Sequence, residues 1–298
     1  MNISINIISK TINLDLKECI ESIVHNQFPK EKYIIVLVYE YDHPARRKEL
    51  ENYLQKLRVN FHFQEIEKGQ GIAFNRNQCI KISKTKYVLL VDSDCTVSRN
   101  WIPHMSQAME SSPPEVAAIV GDVSTKKSNF LGECIALLGF PGGGKLGFNN
   151  VFGVDGQGYT THLSHGNCLI KKEKAEEVNY FEEFVPKKNK KGLGQTDKYF
   201  AYKLRKKGYK IKYVPDTPVF HPPYNQIFQF LKRNFAKGKL GYWYLKKTKE
   251  TKTVGKSRLN ALKQIIKKSR WKLPFTLTLL FLSYCCELSG YLYSVWKN

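Results

Sequence analysis

Apolar and polar residues alternate along the first 125 positions in two patterns. Short continuous apolar runs, rich in β-branched residues, predict buried strands, and apolar residues three or four positions apart predict helices. The predicted strands cover residues 3–9, 33–39, 59–66, 86–91 and 116–123, and the predicted helices cover 14–24, 44–57, 71–82 and 99–109. This alternation indicates an α/β fold, in which helices cover both faces of a mostly parallel, Rossmann-like sheet.

The predicted strand at residues 86–91 is followed by two acids, Asp92 and Asp94. Ligands of open α/β sheets bind beyond the carboxyl ends of the strands, and paired carboxylates there suit a hard divalent cation that also holds phosphate oxygens. The alternative is a solvated strand end at which the two acids only cap a turn. The strand and its acids alone leave both interpretations open.

The net charge of +22 on 298 residues favours an anionic partner: a nucleic acid, an anionic membrane or a phosphorylated substrate. Residues 226–298 contain 16 Lys and Arg but two acids, a net +14. The seven cysteines form no CxxC pair and lie mostly in apolar runs, which predicts reduced core residues and neither disulfides nor a zinc site. The first 13 residues lack the pattern of a signal peptide, so we expect a cytosolic catalytic face.

Three elements occur in order within the first hundred residues. They are a strand and loop with Ile7, Ile8, Thr11 and Asn13, a helix with Gly69, Ala73, Arg76 and Asn77, and the motif Asp92-Ser-Asp94. Together they resemble the nucleotide-sugar half of family 2 glycosyltransferases of GT-A fold. The resemblance implies a GT-A catalytic domain over residues 1–224. It also implies a cofactor, Mn²⁺ or Mg²⁺, that bridges the phosphates of a UDP- or GDP-linked sugar and stabilises the charge of the leaving diphosphate.

The resemblance assigns roles around the diphosphate of the donor. Asp94 is the expected metal ligand, while Asp92 reaches the ribose or a metal-bound water. Arg76 lies near the diphosphate or closes the pocket, unless it is only a surface arginine on its helix.

The nucleotide part of the donor has four further expected contacts. Thr11 and Asn13 belong to the loop after the first strand. The family usually places two consecutive aspartates after its second strand, where an acid hydrogen-bonds the base or ribose. This chain has Tyr39-Glu-Tyr-Asp there, so the choice between Glu40 and Asp42 stays open.

The segment from Thr196 to Gly208 predicts a second key helix, with Asp197 at its start and glycine at its end. An aspartate at a helix start is also a common N-cap. The segment resembles the family's acceptor-side Glu-Asp helix, in which the aspartate is the general base, although Thr196 replaces the glutamate. Attack by a hydroxyl that Asp197 activates, opposite a metal-held diphosphate, implies inversion at the anomeric carbon.

Three other segments have two interpretations each. Asn167 resembles a family residue that hydrogen-bonds a sugar hydroxyl, and the neighbouring His165 is either a participant or a structural histidine. His221 is either a late metal ligand or a residue that marks the domain exit before two prolines. The glycine-rich residues 139–147 lack the Ser or Thr of a phosphate loop, and they predict a mobile loop over the acceptor or a plain surface loop.

The C-terminal residues 225–298 predict a membrane-associated tail. Residues 224–247 and 258–272 have basic and apolar or aromatic residues at helical spacing, as in helices that lie in a membrane surface. Residues 273–296 are mostly apolar and long enough to span a bilayer, but Glu287 makes an in-plane or re-entrant helix an equal alternative. A soluble helix that packs on the domain is the third interpretation.

The sequence therefore predicts an inverting, metal-dependent hexosyltransferase at the cytoplasmic face of the cell membrane. Its acceptor would be a hydroxyl of a glycan linked to polyprenyl or dolichyl phosphate. One alternative is a polyprenyl-phosphate sugar synthase that uses the bare lipid phosphate. The other is a basic nucleic-acid-binding protein, but an apolar segment interrupts the basic tail and the chain has no known nucleic-acid module, so no nucleic-acid partner is expected.

Overall fold

The structure, a computed structural model, describes residues 2–40, 44–183, 196–250 and 254–298. Its strands are β1 (Ile3–Ser9), β2 (Tyr33–Glu40), β3 (Asn60–Ile66), β4 (Tyr87–Asp92), β5 (Thr96–Val97), β6 (Val116–Val120), β7 (Val123–Thr125), β8 (Tyr159–Thr160), β9 (Asn167–Lys171), β10 (Lys210–Tyr213) and β11 (Val219–His221). Its α-helices are α1 (Leu14–Val24), α2 (Pro44–Lys56), α3 (Ile72–Ile82), α4 (Trp101–Glu110), α5 (Phe130–Ala136), α6 (Phe148–Phe152), α7 (Lys172–Glu177), α8 (Thr196–Lys206), α9 (Ile227–Thr248), α10 (Val254–Ser269) and α11 (Leu273–Lys297).

The described residues form two compact units that interleave along the chain. The first unit contains residues 2–122, 155–182 and 196–220, and the second contains residues 123–154, 183, 221–250 and 254–298. The predicted division into a catalytic domain and a tail at residue 224 concerns function as well as packing, and it stays a prediction.

The first unit is built on an eight-stranded sheet with the order β3-β2-β1-β4-β9-β6-β10-β8. Strands β3, β2, β1 and β4 are parallel neighbours, and so are β6 and β10, whereas β9 runs antiparallel to both β4 and β6. Every residue of β6 and β9 is buried, as expected where helices cover both faces. The predicted α/β, GT-A type of fold with a mostly parallel mixed sheet is confirmed.

The second unit contains the predicted C-terminal helices, and α9 and α11 cross in close contact. A Cβ added to Gly238 of α9 would lie 1.8 Å from the carbonyl oxygen of Glu287. A Cβ added to Gly290 of α11 would lie 2.0 Å from the carbonyl oxygen of Phe235. Since real Cβ atoms do not approach this closely, glycine at both positions lets the two backbones meet.

Helix α11 buries its small polar residues and exposes its apolar ones. The buried stripe contains Thr276, Ser283, Gly290 and Ser294, together with Leu279. Its exposed residues include many large apolar ones: Phe275, Leu277, Phe281, Leu282, Leu288, Leu292, Val295 and Trp296. The continuous helical region over Leu259–Lys297 is long and apolar enough to cross a membrane, and 22% of its most apolar 18 residues are buried in the protein.

The glycine-rich residues 139–147 are packed into the second unit, so the predicted mobile or plain surface loop is wrong. A Cβ on Gly144 would lie 2.5 Å from the carbonyl oxygen of Ala136, and Leu146 is buried. Lys145 forms an ion pair with Glu133 of α5. The glycines therefore serve close backbone approach.

All seven cysteines are free and five of them are buried, in agreement with the predicted reduced core residues.

Candidate functional site

The two acids of the Asp-Ser-Asp motif lie at the carboxyl end of β4, where the sequence analysis expected them. Asp92 is the last residue of the strand, and its carbonyl oxygen accepts a hydrogen bond from the Cys95 N–H at 3.1 Å, which closes the turn that contains Asp94. The side-chain ligand atoms of Asp92, Asp94 and Cys95 lie within 4.8 Å of one another.

The protonation of Cys95 indicates which ion this group fits. Burial, and then the charges of Asp92 and Asp94, raise the pKa of the Cys95 thiol well above its usual value. The thiol is therefore neutral at pH 7, and the carboxylates of Asp92 and Asp94 are the charged members of this group. Paired carboxylates suit a hard cation such as Mg²⁺ or Mn²⁺.

His221 is the last residue of β11 and the first residue of the second unit. Strand β11 pairs with β5, and Phe220 lies opposite Thr96, two residues after Asp94. The Nδ1 atom of His221 lies 2.7 Å from the carbonyl oxygen of Pro222. Its role as a metal ligand stays a prediction.

His165 lies between the donor-side and acceptor-side acids. Its Nε2 atom is 2.9 Å from Oδ1 of Asp92, and its Nδ1 atom is 3.3 Å from Oδ2 of Asp197. The antiparallel pairing of β4 with β9 produces this arrangement, because Val91 lies opposite Asn167 and the chain just before β9 then passes Asp92. Sequence reasoning left the role of His165 open, since only the register of β9 against β4 reveals it.

Asp197 is the second residue of α8, as the helix-start signals predicted. Burial acts to raise the pKa of its carboxyl group, but the hydrogen bond and charge of His165, the charge of Arg76 and the N–H of Lys198 outweigh burial and lower the pKa to about 2. Asp197 is therefore a carboxylate throughout the physiological pH range, as an acceptor for a hydroxyl proton must be.

Arg76 is 1% exposed, so the alternative of a surface arginine is wrong. Its Nη1 atom donates a hydrogen bond to the hydroxyl of Thr196, the residue that precedes Asp197. Its guanidinium also lies 5.4 Å from the ring centroid of Phe181. Threonine at position 196 thus provides an acceptor for Arg76, whereas the predicted contact of Arg76 with the diphosphate stays a prediction.

Asn167 is fully buried and its side-chain amide is hydrogen-bonded within the protein, while the predicted hydrogen bond to a sugar hydroxyl stays a prediction. Its Oδ1 atom accepts from the indole N–H of Trp101 at 2.7 Å. Its Nδ2 atom donates to the carbonyl oxygens of Asp122 and Thr217, both at 2.7 Å. The amide has no donor left for a ligand, because its two N–H groups serve the backbone.

One of the predicted nucleotide-binding residues, Asn13, lies in the wall of an open cleft of about 300 Å³. Ile12, Asn13, Leu14, Lys17, Arg46 and Glu49 line it. Asn13 also caps α1, since its Oδ1 atom accepts from the Leu16 N–H at 3.0 Å. Thr11 is exposed in the same loop, and Glu40 is the partly buried last residue of β2, while Asp42 lies outside the described residues.

The α/β fold and the acids at the end of β4 agree with the predicted class, a glycosyltransferase. Sequence comparison then assigns the family. The family described as Glycosyl transferase family 2 matches residues 4–178, more than half of the chain. The chain therefore belongs to glycosyl transferase family 2, as its motifs predicted.

The proteins similar to this chain include a curated relative and several solved structures. The relative is a poly(ribitol-phosphate) beta-glucosyltransferase of Bacillus spizizenii (strain ATCC 23059 / NRRL B-14472 / W23), 33% identical over 79 residues, which are 26% of this chain and 12% of the relative. The chain thus matches about an eighth of that relative's length.

The solved structures share the fold at low sequence identity. The mannosyltransferase PcManGT from Pyrobaculum calidifontis, in complex with GDP-Man and Mn²⁺, has a TM-score of 0.60 and 17% identity, with 95% of this chain and 75% of that chain covered. S. aureus TarS 1-349, in complex with UDP-GlcNAc, has a TM-score of 0.56 and 14% identity, with 98% and 89% covered.

Proposed function

We propose that this protein is a metal-dependent, inverting hexosyltransferase that moves a sugar from a UDP- or GDP-linked donor to a hydroxyl group of a glycan linked to polyprenyl or dolichyl phosphate. The observation that carries the proposal is the arrangement around β4. A pair of acids ends the strand, and the partly buried, ionised Asp197 is separated from Asp92 by the imidazole ring of His165. The Mn²⁺ and the nucleotide sugars bound in the similar structures support this proposal.

In this mechanism the donor is held by the acids after β4 and by the loop after β1. Asp94 and His221 would bind Mn²⁺ or Mg²⁺, which supplies positive charge against the departing diphosphate. Asp92 and either Glu40 or Asp42 would hydrogen-bond the ribose or base, with Thr11 and Asn13 nearby.

Asp197 would accept the proton of the acceptor hydroxyl while that oxygen attacks the anomeric carbon. The C–O bond to the acceptor forms as the bond to the diphosphate oxygen breaks, so a single displacement inverts the anomeric configuration. General-base assistance of this kind contributes about 10²–10⁴ to the rate. The lowered pKa of Asp197 keeps the carboxylate ionised before the acceptor arrives.

The membrane part of the proposal is supported by the second unit. Helix α11 has 25 residues, and its exposed surface is apolar, whereas its one acid, Glu287, lies 3.0 Å from Lys237 of α9. Trp271, 70% exposed at the junction of basic α10 and apolar α11, suits the interface between headgroups and acyl chains. We propose that this surface anchors the enzyme at the cytoplasmic face of the membrane.

A second candidate acceptor is a polyol-phosphate polymer. It is favoured by the name of the curated relative, which glycosylates poly(ribitol phosphate), and by the net charge of +22, which complements a polyanion. Both candidates share the donor chemistry and differ only in the acceptor.

Binding of nucleotide sugars tests the donor half directly. A thermal-shift screen of UDP- and GDP-sugars with and without Mn²⁺ should give one donor that stabilises the protein only with the metal, by about 2.7 kcal/mol at 100 times its Kd. Asp94→Asn should abolish the metal dependence, whereas Asp155→Asn, in an exposed turn of the same unit, should retain it. Equal shifts with and without metal would contradict the proposal.

A further inference from the structure

His165 has a geometry that the roles assigned so far do not use. Its two ring nitrogens face carboxylate oxygens from two different elements, Asp92 at the end of β4 and Asp197 at the start of α8. A histidine that only fills space in a core needs one hydrogen-bond partner for each nitrogen and no charge. Two acids on opposite sides of one imidazole form a link between elements instead.

The backbone next to His165 also lies close to the Asp92 carboxylate. A Cβ on Gly166 would lie 2.6 Å from Oδ2 of Asp92, so glycine there lets the Asp92 carboxylate approach the chain. Asp92 therefore presents Oδ1 to the imidazole while Oδ2 lies over Gly166. This close fit is a second observation, independent of the two nitrogen–oxygen distances.

The remaining contacts of Asp197 leave its orientation to His165. Oδ1 of Asp197 accepts from the N–H of Lys198 at 3.0 Å, a contact within its own helix turn. Arg76 binds the neighbouring Thr196 and acts on Asp197 through its charge. Among the described residues, His165 is the side chain that reaches Asp197 from another element by a hydrogen bond.

We infer that His165 is a positioning residue whose Nδ1 side fixes the orientation of the Asp197 carboxylate, from a connection that the pairing of β9 with β4 places beside Asp92. The inference rests on the proposed role of Asp197 as base. If the base is misplaced by about 1 Å, the rate of transfer falls by on the order of 10²-fold, although the donor still binds.

Two conservative variants separate the contact of His165 with Asp197 from its contact with Asp92. The side-chain amide of asparagine mimics Nδ1 and so keeps a donor for Asp197, whereas glutamine mimics Nε2 and keeps a donor for Asp92. His165→Asn should therefore retain most of kcat. His165→Gln and His165→Ala should lose about 10- to 100-fold in kcat with an unchanged KM for the donor. His162→Ala, on the same connection but next to Thr161, is the matched control.

The pH dependence provides a readout that a merely structural role would not move. The groups that act on Asp197 are His165, Arg76 of α3 and the backbone of Lys198, with Cys168 of β9 nearby. Without the hydrogen bond from His165, burial acts with less opposition and raises the pKa of Asp197. The acid limb of kcat should then move to higher pH in His165→Gln and His165→Ala, and by less in His165→Asn, which keeps the hydrogen bond but loses the charge.

Carboxyl ¹³C NMR of the whole protein measures the same quantity without turnover. The pKa of Asp197, assigned through Asp197→Asn, should rise in His165→Ala and His165→Gln and rise less in His165→Asn, which keeps the hydrogen bond but not the charge of His165. Equal pKa values in all the variants, or equal kcat losses in His165→Asn and His165→Gln, would overturn the inference. If wild-type protein transfers no sugar, the proposed function fails, whereas the NMR result still decides whether His165 holds Asp197.

Discussion

Strand β4 of the first unit and helix α11 of the second unit sort their side chains in opposite ways. In β4 the apolar residues 88–91 are buried and the polar Asp92 is partly exposed at the end. In α11 the polar and small residues Thr276, Ser283 and Ser294 are buried, and Phe281 and Trp296 are 67% and 84% exposed. A protein in water places most of its apolar residues inside, so the exposed apolar surface of α11 fits the membrane contact proposed for it.

The two units pair their partly buried charges alike. In the first unit His165 stands between Asp92 and Asp197, and in the second Lys237 of α9 pairs with Glu287 of α11. Each acid faces a basic group on another element, because an unpaired charge away from water is expensive. The difference between the units lies in their exposed surfaces: the first unit exposes acids at its site, and α11 of the second unit exposes large apolar side chains, as the proposed membrane association requires.

The largest expected effect is a loss of sugar transfer through a change in the first unit, with the second unit unchanged. Asp197→Asn removes the proton acceptor, so kcat should fall by about 10²–10⁴. Binding of the protein to lipid vesicles should not change. The measurement is sugar transfer together with flotation, with Asp155→Asn as the control. If the variant transfers sugar at a rate within threefold of wild type, Asp197 is not the base.

The second largest expected effect is a loss of vesicle binding by the second unit, with donor binding unchanged. Phe281→Glu places a charge on the exposed face of α11, where loss of a buried apolar side chain alone costs about 1.5–3 kcal/mol. Binding to vesicles that contain anionic lipid should weaken by roughly tenfold or more. Gln229→Glu adds the same charge at an exposed position of α9 and should change binding little. Equal losses in both variants would mean that net charge, and not the apolar face, determines binding.

A smaller expected effect tests the packing of α9 against α11 in the second unit. Gly238→Ala forces a methyl group against the carbonyl oxygen of Glu287 and should destabilise the crossing of α9 and α11 by about 1–3 kcal/mol. Gly241→Ala lies in the same helix with open space around its Cβ position and should stabilise the helix by about 0.5–1 kcal/mol. Hydrogen exchange of α9 and α11 measures both. Equal protection in the two variants would refute the close crossing.

The sequence was sufficient where local pattern decides the structure. The boundaries of β1, α1 and α11 follow apolar periodicity, and the predicted tail helices at residues 224–247 and 273–296 are confirmed as Ile227–Thr248 and Leu273–Lys297. Asp92, Asp94 and Asp197 were predictable because strand ends and helix starts are marked by charged residues after apolar runs.

The rest depends on contacts between distant segments. An amide serves a sugar or a backbone equally well, so Asn167 was assigned to a ligand although Trp101, Asp122 and Thr217 use it. Nothing in α3 predicts that Arg76 is buried against Thr196. Likewise Glu287 looked like an obstacle to membrane insertion, because its partner Lys237 is 50 residues away in the chain.

Sugar transfer itself tests the central claim most directly. Wild-type protein, Mn²⁺ and the donor from the binding screen are incubated with vesicles that contain polyprenyl-phosphate-linked glycans, or with poly(ribitol phosphate), and the product is examined by NMR. We predict one acceptor that receives the sugar with inverted anomeric configuration and none with Asp197→Asn. Retention of configuration, or equal transfer by the variant, would contradict the account.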